Sequence, residues 1–168
     1  MAHFAECRVD NNEVIRTIVI ADADVTANGG NNSSQAETWM ANTFPNCPVL
    51  TAAFEAASES YPNTYWKQGY KGSGRGLYPN IGQTWDASLE IFKEPKRWSD
   101  WVLNETSGLH ECPIDYPTSS VQGDSAYSPP DWRVSIGTWI CKKADEDKMR
   151  RWNTSSKSWN SDEDLIDE

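Results

Sequence analysis

The chain has 168 residues, a formal net charge of −10, a hydrophobic fraction of 38% and nine tryptophans. This length suffices for one ordinary domain or two very small ones. The acidic charge argues against nucleic acid as a partner, because binding to a phosphate backbone needs a basic surface. The apolar content is low and is concentrated in a few large side chains. We therefore expect a thin core, or apolar side chains that are buried against a partner or against copies of the chain.

The sequence lacks the features of a signal peptide and of a membrane span. Its start, Met1–Phe4, has neither a basic region nor an apolar run, and no stretch approaches the roughly 18 apolar residues of a membrane helix. Without export, free thiols are expected. The cysteines are too scattered for metal-ligand spacing, so neither a metal site nor a cofactor is predicted. They are Cys7, Cys47, Cys112 and Cys141.

The first 82 residues predict a small α+β module that begins with a β-hairpin. An alternating strand, a turn at Asp10–Asn12 and a β-branched return strand at Val14–Ile20 form this pattern. The Asn- and Gly-rich stretch 22–32 is predicted to be a loop. Asp22 and Asp24 open it, but the later ligands of a calcium loop are missing, so exposed acids are expected.

One clear helix is predicted at residues 33–43. Ser34 and Glu37 fit the S-x-x-E capping box. Two prolines end the helix, an extended run at residues 49–54 follows, and residues 52–60 suit either a strand or a second short helix. The helix is too short to be stable alone, so its apolar face must pack on the hairpin. That face consists of Ala36, Trp39, Met40 and Phe44.

Residues 61–78 are rich in aromatic residues and glycine. A strand is predicted at Tyr65–Gln68, followed by a glycine-rich loop that carries Lys71 and Arg75. The loop superficially resembles a phosphate-binding loop, but it lacks the G-K-[ST] ending and the flanking strand and helix. We interpret it as a loop that leaves room for a neighbouring chain.

From residue 83 to residue 160 the sequence predicts an extension of antiparallel β-hairpins. The first turns between Trp85 and Phe92 and the second turns at Asn104–Gly108, where apolar runs flank polar clusters. The last hairpin is predicted at residues 150–159. Residues 161–168 are interpreted as an acidic tail.

Aromatic residues recur at a spacing of seven in this extension. The pairs are Trp85 and Phe92, Trp132 and Trp139, and Trp152 and Trp159. This spacing lets two rings face each other across a short hairpin, where a cross-strand pair contributes about 0.2–1 kcal/mol. The alternation in residues 131–141 also predicts a strand there, followed by a charged turn at residues 142–147.

Together these motifs resemble a family of small proteins from marine tailed phages, including cyanophages. The matching pieces are the opening M-A-H-F-A, V-x-R-x-I-V-I at residues 14–20, the helix that ends at Phe44, W-K-Q at 66–68, Arg75-Gly76, the run 78–86, F-K-E-P at 92–95, the run 99–105 and D-Y-P at 115–117. The resemblance covers most of residues 1–117. It departs at Gly69-Tyr70, where the family usually has T-S-Y, and at Gly82–Asp86.

The resemblance implies a virion structural protein and supplies no catalytic residues. The expected role is an exterior capsid decoration or knob component that is assembled in the host cytoplasm. It would be present in many copies and would bind other capsid or tail proteins and itself. An alternative is a tail- or fibre-associated adhesin that binds a host surface glycan through exposed tryptophans.

Aromatic side chains and arginine are the natural anchors of such interfaces. The alternative interpretation is that the tryptophans form the core and the cross-strand pairs of the hairpins. Buried pairs would favour the structural role, whereas a row of exposed tryptophans near Asp or Asn would favour the adhesin. The candidates are Trp66, Tyr70, Arg75, Tyr78, Trp85, Trp98, Trp101, Trp132, Trp139, Trp152 and Trp159.

Residues that suggest catalysis are sparse. The sequence has neither a G-x-S-x-G nor an H-E-x-x-H motif. His3 and His110 lie near predicted strand ends, where surface and interface roles are usual. Glu105 and Glu111 flank the second hairpin, but they are two of 25 acidic residues. No enzymatic activity is predicted.

Overall fold

A computed structural model describes residues 1–50, 56–69, 74–117, 128–143 and 148–160. The predicted α+β class is confirmed, with two short α-helices and antiparallel strands in several small sheets. The chain divides into two compact units. Unit 1 comprises Met1–Lys96 and Leu103–His110, and unit 2 comprises Arg97–Val102 and the chain from Glu111 onward. The division thus follows Lys96, whereas the sequence suggested a boundary at residue 82.

Unit 1 is built on an antiparallel sheet of three strands in the order β2-β1-β5. Its other strands form two-stranded pairs, β3 with β4 and β6 with β7. The predicted N-terminal hairpin and the predicted strand at Tyr65–Gln68 are confirmed. In chain order the elements are β1 (Ala2–Arg8), β2 (Val14–Ile20), α1 (Asp22–Ala27), α2 (Ser34–Thr43), β3 (Pro48–Leu50), β4 (Ala56–Ser60), β5 (Thr64–Gly69), β6 (Thr84–Asp86) and β7 (Ile91–Lys93).

The central sheet packs apolar side chains on both of its faces. Successive residues of a strand point to opposite faces, so neighbours in β1 belong to different clusters. The cluster on the helix side contains Ala2, Phe4, Val25, Ala36, Met40 and Trp66. The cluster on the side of the β6–β7 hairpin contains Ala5, Cys7, Val14, Trp85 and Phe92. Both layers are needed to bury the sheet.

Helix α2 begins with a different cap from the predicted one. Ser33, not Ser34, is the N-cap, and its Oγ accepts a hydrogen bond from the backbone N–H of Ala36 at 3.0 Å. Glu37 does not close a capping box, because its carboxylate bonds instead to cations of β5 and of the segment after it. The apolar face of the helix packs on the sheet as predicted.

The prediction of a loop throughout residues 22–32 is wrong, because α1 occupies the first part of this stretch. Asp22 and Asp24 lie in its first turn, where carboxylates interact favourably with the helix N-terminus. Val25 is buried in the core and anchors the helix. The N-terminal ammonium of Met1 lies 2.7 Å from the Asp22 carboxylate. The Gly/Asn cluster therefore marks only the connection to α2.

Some predicted features fall outside the described residues. Residues 56–60, for which the sequence allowed either a strand or a short helix, form strand β4. Residues 51–55 lie outside the description, as do residues 70–73 with Tyr70 and Lys71. The same holds for most of the charged turn at 142–147 and for the acidic tail 161–168.

Hairpin β6–β7 contains the first predicted aromatic pair. Trp85 lies opposite Phe92, with ring centroids 4.9 Å apart. The chain returns to this hairpin at Gly108, which has a φ of +76°. A Cβ at Gly108 would lie 2.0 Å from the carbonyl oxygen of Phe92. Both the backbone conformation and this close approach therefore require glycine.

Asp86 organises the turn between β6 and β7. Its carboxylate accepts hydrogen bonds from the backbone N–H groups of Ser88 and Leu89, at 3.0 and 3.2 Å, and from Nζ of Lys93 at 2.8 Å. The bond from Lys93, together with those from Ser88, holds the pKa of the Asp86 carboxyl well below its usual range.

We expect Asp86→Asn to lower the free energy of unfolding at neutral pH by about 1–2 kcal/mol, because charge-assisted hydrogen bonds are lost. The folded pKa lies below the unfolded value of about 3.9, so the stabilisation is complete above that pH and is lost as the pH falls. The deficit should therefore shrink in acid. Urea denaturation of both proteins across this range measures it, with Glu105→Gln as an exposed control. A deficit independent of pH would contradict the assignment.

The second predicted hairpin is also present, and it links the two units. Its strands are β8 (Val102–Leu103) and β9 (His110–Glu111). Leu103–His110 belongs to unit 1, whereas the residues on either side of it belong to unit 2. The chain thus passes between the units more than once, and neither unit is one uninterrupted stretch.

Within the described residues of unit 2, four strands form one sheet in the order β10-β11-β12-β13. Trp132 lies opposite Trp139 and Trp152 lies opposite Trp159, with ring centroids 5.2 and 5.1 Å apart. Both pairs are edge-to-face, as favoured by the ring quadrupoles. The predicted cross-strand pairs are confirmed. The strands are β10 (Asp131–Arg133), β11 (Thr138–Lys142), β12 (Met149–Asn153) and β13 (Ser158–Trp159).

The prediction of one strand through residues 131–141 is wrong. A 3₁₀ turn at Val134–Ile136 and Gly137, which has a φ of 58°, separate β10 from β11. Trp132 and Trp139 are an odd number of residues apart, so a continuous strand would point them to opposite faces. The turn instead brings both rings to the same side of a hairpin.

Candidate interaction surfaces

Most tryptophans proposed as interface anchors are core residues of their own unit. Trp66 and Trp85 are buried in the two clusters of unit 1. In unit 2, a buried group is surrounded by half-buried indoles that pack against it. The buried members are Trp132, Trp139 and Trp152, and the half-buried ones are Trp98, Trp101 and Trp159. The interpretation as core and cross-strand pairs therefore describes them better than an exposed platform.

Polar partners fix Trp132 and Trp139 of unit 2 in place. The indole N–H of Trp132 donates to the carboxylate of Asp100, at 3.1 and 3.2 Å to its two oxygens. The indole N–H of Trp139 donates to the carbonyl oxygen of Ile114 at 3.0 Å. Trp98 and Trp101 stack with centroids 4.3 Å apart. This core combines aromatic packing with directional bonds, so it has a defined geometry.

Arg75, another candidate anchor, is occupied within unit 1. Its guanidinium donates to Oε1 of Glu37 at 3.0 Å and to the carbonyl oxygen of Gln68 at 2.7 Å. It also lies over the ring of Trp85, 5.3 Å from the centroid. Lys67 binds the other oxygen of Glu37 at 2.8 Å. Arg75 therefore connects α2 with β5, and its guanidinium is engaged by contacts within unit 1.

A buried carboxylate, Glu6, was not singled out by the sequence reasoning. It has no exposed surface and lies 2.6 Å from a guanidinium nitrogen of Arg16. Its other oxygen accepts hydrogen bonds from the hydroxyl of Thr64 at 2.7 Å and from the backbone N–H of Cys47 at 2.9 Å. The signal was available, because a hairpin centred near Asn11 places residues 6 and 16 opposite each other.

The cysteines and histidines show no arrangement that favours nucleophilic chemistry. The four cysteines are free, and burial raises the pKa of the Cys7 thiol to about 12. Burial, with Lys96 and Lys93 nearby, lowers the pKa of His110. The ring of His3 packs edge-to-face on Tyr78 at 4.7 Å. These groups are occupied in packing.

Unit 2 carries a groove of about 490 Å³ beside the last hairpin. Tyr116 lies at this groove with its side chain partly exposed and contacts Trp139 edge-to-face, at 5.0 Å between centroids. The groove also has one acid and one base, Asp115 and Lys157. Its remaining lining residues in the described ranges are Pro113, Ile114, Trp152 and Thr154. An aromatic face with nearby polar groups suits a small polar ligand.

Unit 1 exposes apolar side chains around the free side of β2. Val19 is 49% exposed and lies opposite His3, which contacts Tyr78, itself 41% exposed. Tyr78 is thus the candidate anchor with the most accessible ring among the described residues of the proposed set. We call the outward side of residues 15–20 the β2 edge.

Comparisons with protein-family models, with curated proteins and with solved structures found no match. Within the described ranges, no helix is long and apolar enough to cross a membrane. No three His, Cys, Asp or Glu side chains gather as metal ligands in the part of the chain that the structure describes.

Proposed function

We propose that this protein is a non-enzymatic structural component of a tailed-phage virion, and specifically an exterior capsid decoration or knob protein that binds neighbouring subunits. The observation that carries the proposal is the run of motifs in residues 1–117 that resembles a family of small marine phage proteins. The alternative location is the tail or its fibres.

The positions of the motif residues support a structural role. Gln68 is buried, donates to the side chain of Asn31 at 2.8 Å and accepts from the backbone N–H of Asn32 at 2.8 Å. Arg75 and Trp85 belong to the ion-pair and aromatic contacts around Glu37. These motif residues thus hold the secondary-structure elements together. Such contacts are consistent with a structural role.

The remaining surface also suits a protein that meets neighbours. Single exposed apolar residues are normal, but several here lie at accessible tips and edges. Val134 and Ile136 lie at the tip of the β10–β11 hairpin in unit 2. Met1, Val19 and Ile81 are exposed in unit 1. A decoration protein could bury such residues against adjacent subunits.

Cryo-electron microscopy of intact particles of the phage that encodes the chain tests this proposal. We expect density for the fold of unit 1 at many symmetric positions on the outer capsid lattice. Density at the tail or fibre tip would replace the capsid assignment with the tail assignment. Absence of the chain from purified particles, checked by mass spectrometry, would overturn the virion proposal.

The adhesin is kept as a second candidate because of the groove at Tyr116. The tryptophans are buried and therefore do not form the exposed surface that an adhesin needs for stacking on a glycan. A sugar ring could instead stack on Tyr116 and form hydrogen bonds with Asp115 and Thr154. We expect Tyr116→Ala to reduce retention on immobilised host surface polysaccharide at least about tenfold, a loss of one stacking contact. Val134→Ala is the matched control. Equal retention of wild type and Tyr116→Ala, or none by either, would reject the adhesin.

A further inference from the structure

Among the described residues, the β2 edge has no strand partner beyond the bonds made by Val14, the first residue of β2. In the order β2-β1-β5, β2 has β1 on one side only. The N–H of Val14 donates to the carbonyl oxygen of Gln83 at 2.8 Å, and the carbonyl of Val14 accepts from Gly82 at 3.0 Å. Among the described residues, residues 15–20 make no further backbone bond on that side. The described part of the chain therefore leaves outward donors and acceptors for another strand.

Apart from a bulge at Ile15, at its first residue, the β2 edge lacks the usual protection against pairing. Edge strands are commonly guarded by proline or by outward charges, lysine above all. The only charged residue in β2 is Arg16, and its guanidinium is held by Glu6 at 2.6 Å and by the carbonyl oxygen of Pro45 at 2.7 Å. It also lies 5.1 Å from the ring centroid of Trp66. A charge held this way does not repel an incoming strand.

We propose that the β2 edge binds the β2 edge of a second copy of this chain in antiparallel orientation. A strand edge carries both donors and acceptors, so it is complementary to itself about a two-fold axis. The two three-stranded sheets would then form one continuous sheet. Val19, half exposed in the single chain, would be covered on pairing.

The charge distribution favours a second copy despite the net charge of −10 on each chain. β2 contains no acidic residue. Antiparallel pairing brings the acids that flank β2, Glu13 and Asp22, toward each other across the interface. A cation lies near each: the Met1 ammonium is 2.7 Å from Asp22, and Arg8, which donates two hydrogen bonds to Asp10, is 3.8 Å from Glu13. The charge of Asp22 is therefore offset and that of Glu13 is offset in part.

Sedimentation equilibrium of the full chain tests the proposal. We expect a reversible dimer for the wild type, and for Val19→Lys a dissociation constant raised by about tenfold or more, because lysine on an edge strand disfavours pairing with another strand. Val134→Lys is the matched control, since Val134 is 41% exposed, lies in unit 2 and receives the same charge. It should dimerise as the wild type does. Circular dichroism checks that both variants are folded.

Amide hydrogen exchange locates the contact. The outward amides of residues 15–20 should exchange more slowly as wild-type concentration rises, but not in Val19→Lys. A monomeric wild type, or a Val19→Lys variant that dimerises equally well, would overturn the proposal. So would protection of these amides only when phage particles are added, since the edge would then take a strand from another protein. This inference extends the proposed function, but its test uses the purified chain, so its failure leaves the virion location to be decided by microscopy.

Discussion

Replacing Trp139 with alanine is expected to unfold unit 2. Its ring is buried and contacts Trp132, Trp101 and Tyr116, with centroids 5.2, 6.5 and 5.0 Å away. Its indole N–H also bonds to Ile114. Removing a core tryptophan costs about 3–5 kcal/mol, which is as much as the core of a very small domain usually supplies.

The indole N–H signals in a two-dimensional NMR spectrum measure this loss. In Trp139→Ala, the dispersed signals from unit 2 should collapse toward the random-coil position. Trp139→Phe is the matched control, because it keeps an aromatic ring and loses only part of the volume and one hydrogen bond. Dispersed unit 2 signals in Trp139→Ala would show that the tryptophan cluster does not hold this unit together.

Glu6→Gln is expected to lower the free energy of unfolding by about 3 kcal/mol. Breaking a buried pair by removing one charge typically costs about 3–5 kcal/mol, since the remaining charge stays uncompensated. The lower end applies because Arg16 keeps some exposure, at 23% of its side chain. The glutamine can still accept from Thr64 and Cys47, so the change isolates the ion pair.

Denaturant unfolding of a small set of variants tests this estimate. Glu13→Gln, which weakens the exposed pair with Arg8, should cost less than about 1 kcal/mol. Combining Glu6→Gln with Arg16→Leu should recover part of the stability, because no uncompensated charge remains while the glutamine still accepts from Thr64 and Cys47. Equal effects of Glu6→Gln and Glu13→Gln would contradict a special role for the buried carboxylate.

The elements defined by short-range patterns were predictable from the sequence. The hairpin at the N-terminus follows from its β-branched return strand, and the three aromatic pairs follow from a spacing that fits a tight turn. Helix α1 was missed because it has no side-chain N-cap. Its stability comes from burial of Val25 and from acids in its first turn, and burial is a long-range property.

The candidate site was less predictable, because composition does not reveal exposure. Tryptophan is common both in interfaces and in cores, and a chain with few apolar residues uses its largest ones for the core. Trp139 and Trp66 illustrate this outcome. The β2 edge depends on strand order, which is set by the distant strand β5 pairing with β1 rather than with β2.

The passage of the chain between the units has a consequence for synthesis on the ribosome. A nascent chain that has emerged only as far as Lys96 still lacks Leu103–His110, which completes unit 1. The carbonyl of Gly108 accepts a hydrogen bond from the N–H of Glu94 at 3.1 Å, so the end of β7 gains this contact only when that segment has been made. By then, Arg97–Val102 of unit 2 has also been made. A gene fragment that ends at residue 96 would therefore encode an incomplete unit 1. A fragment intended to express unit 1 should extend through His110.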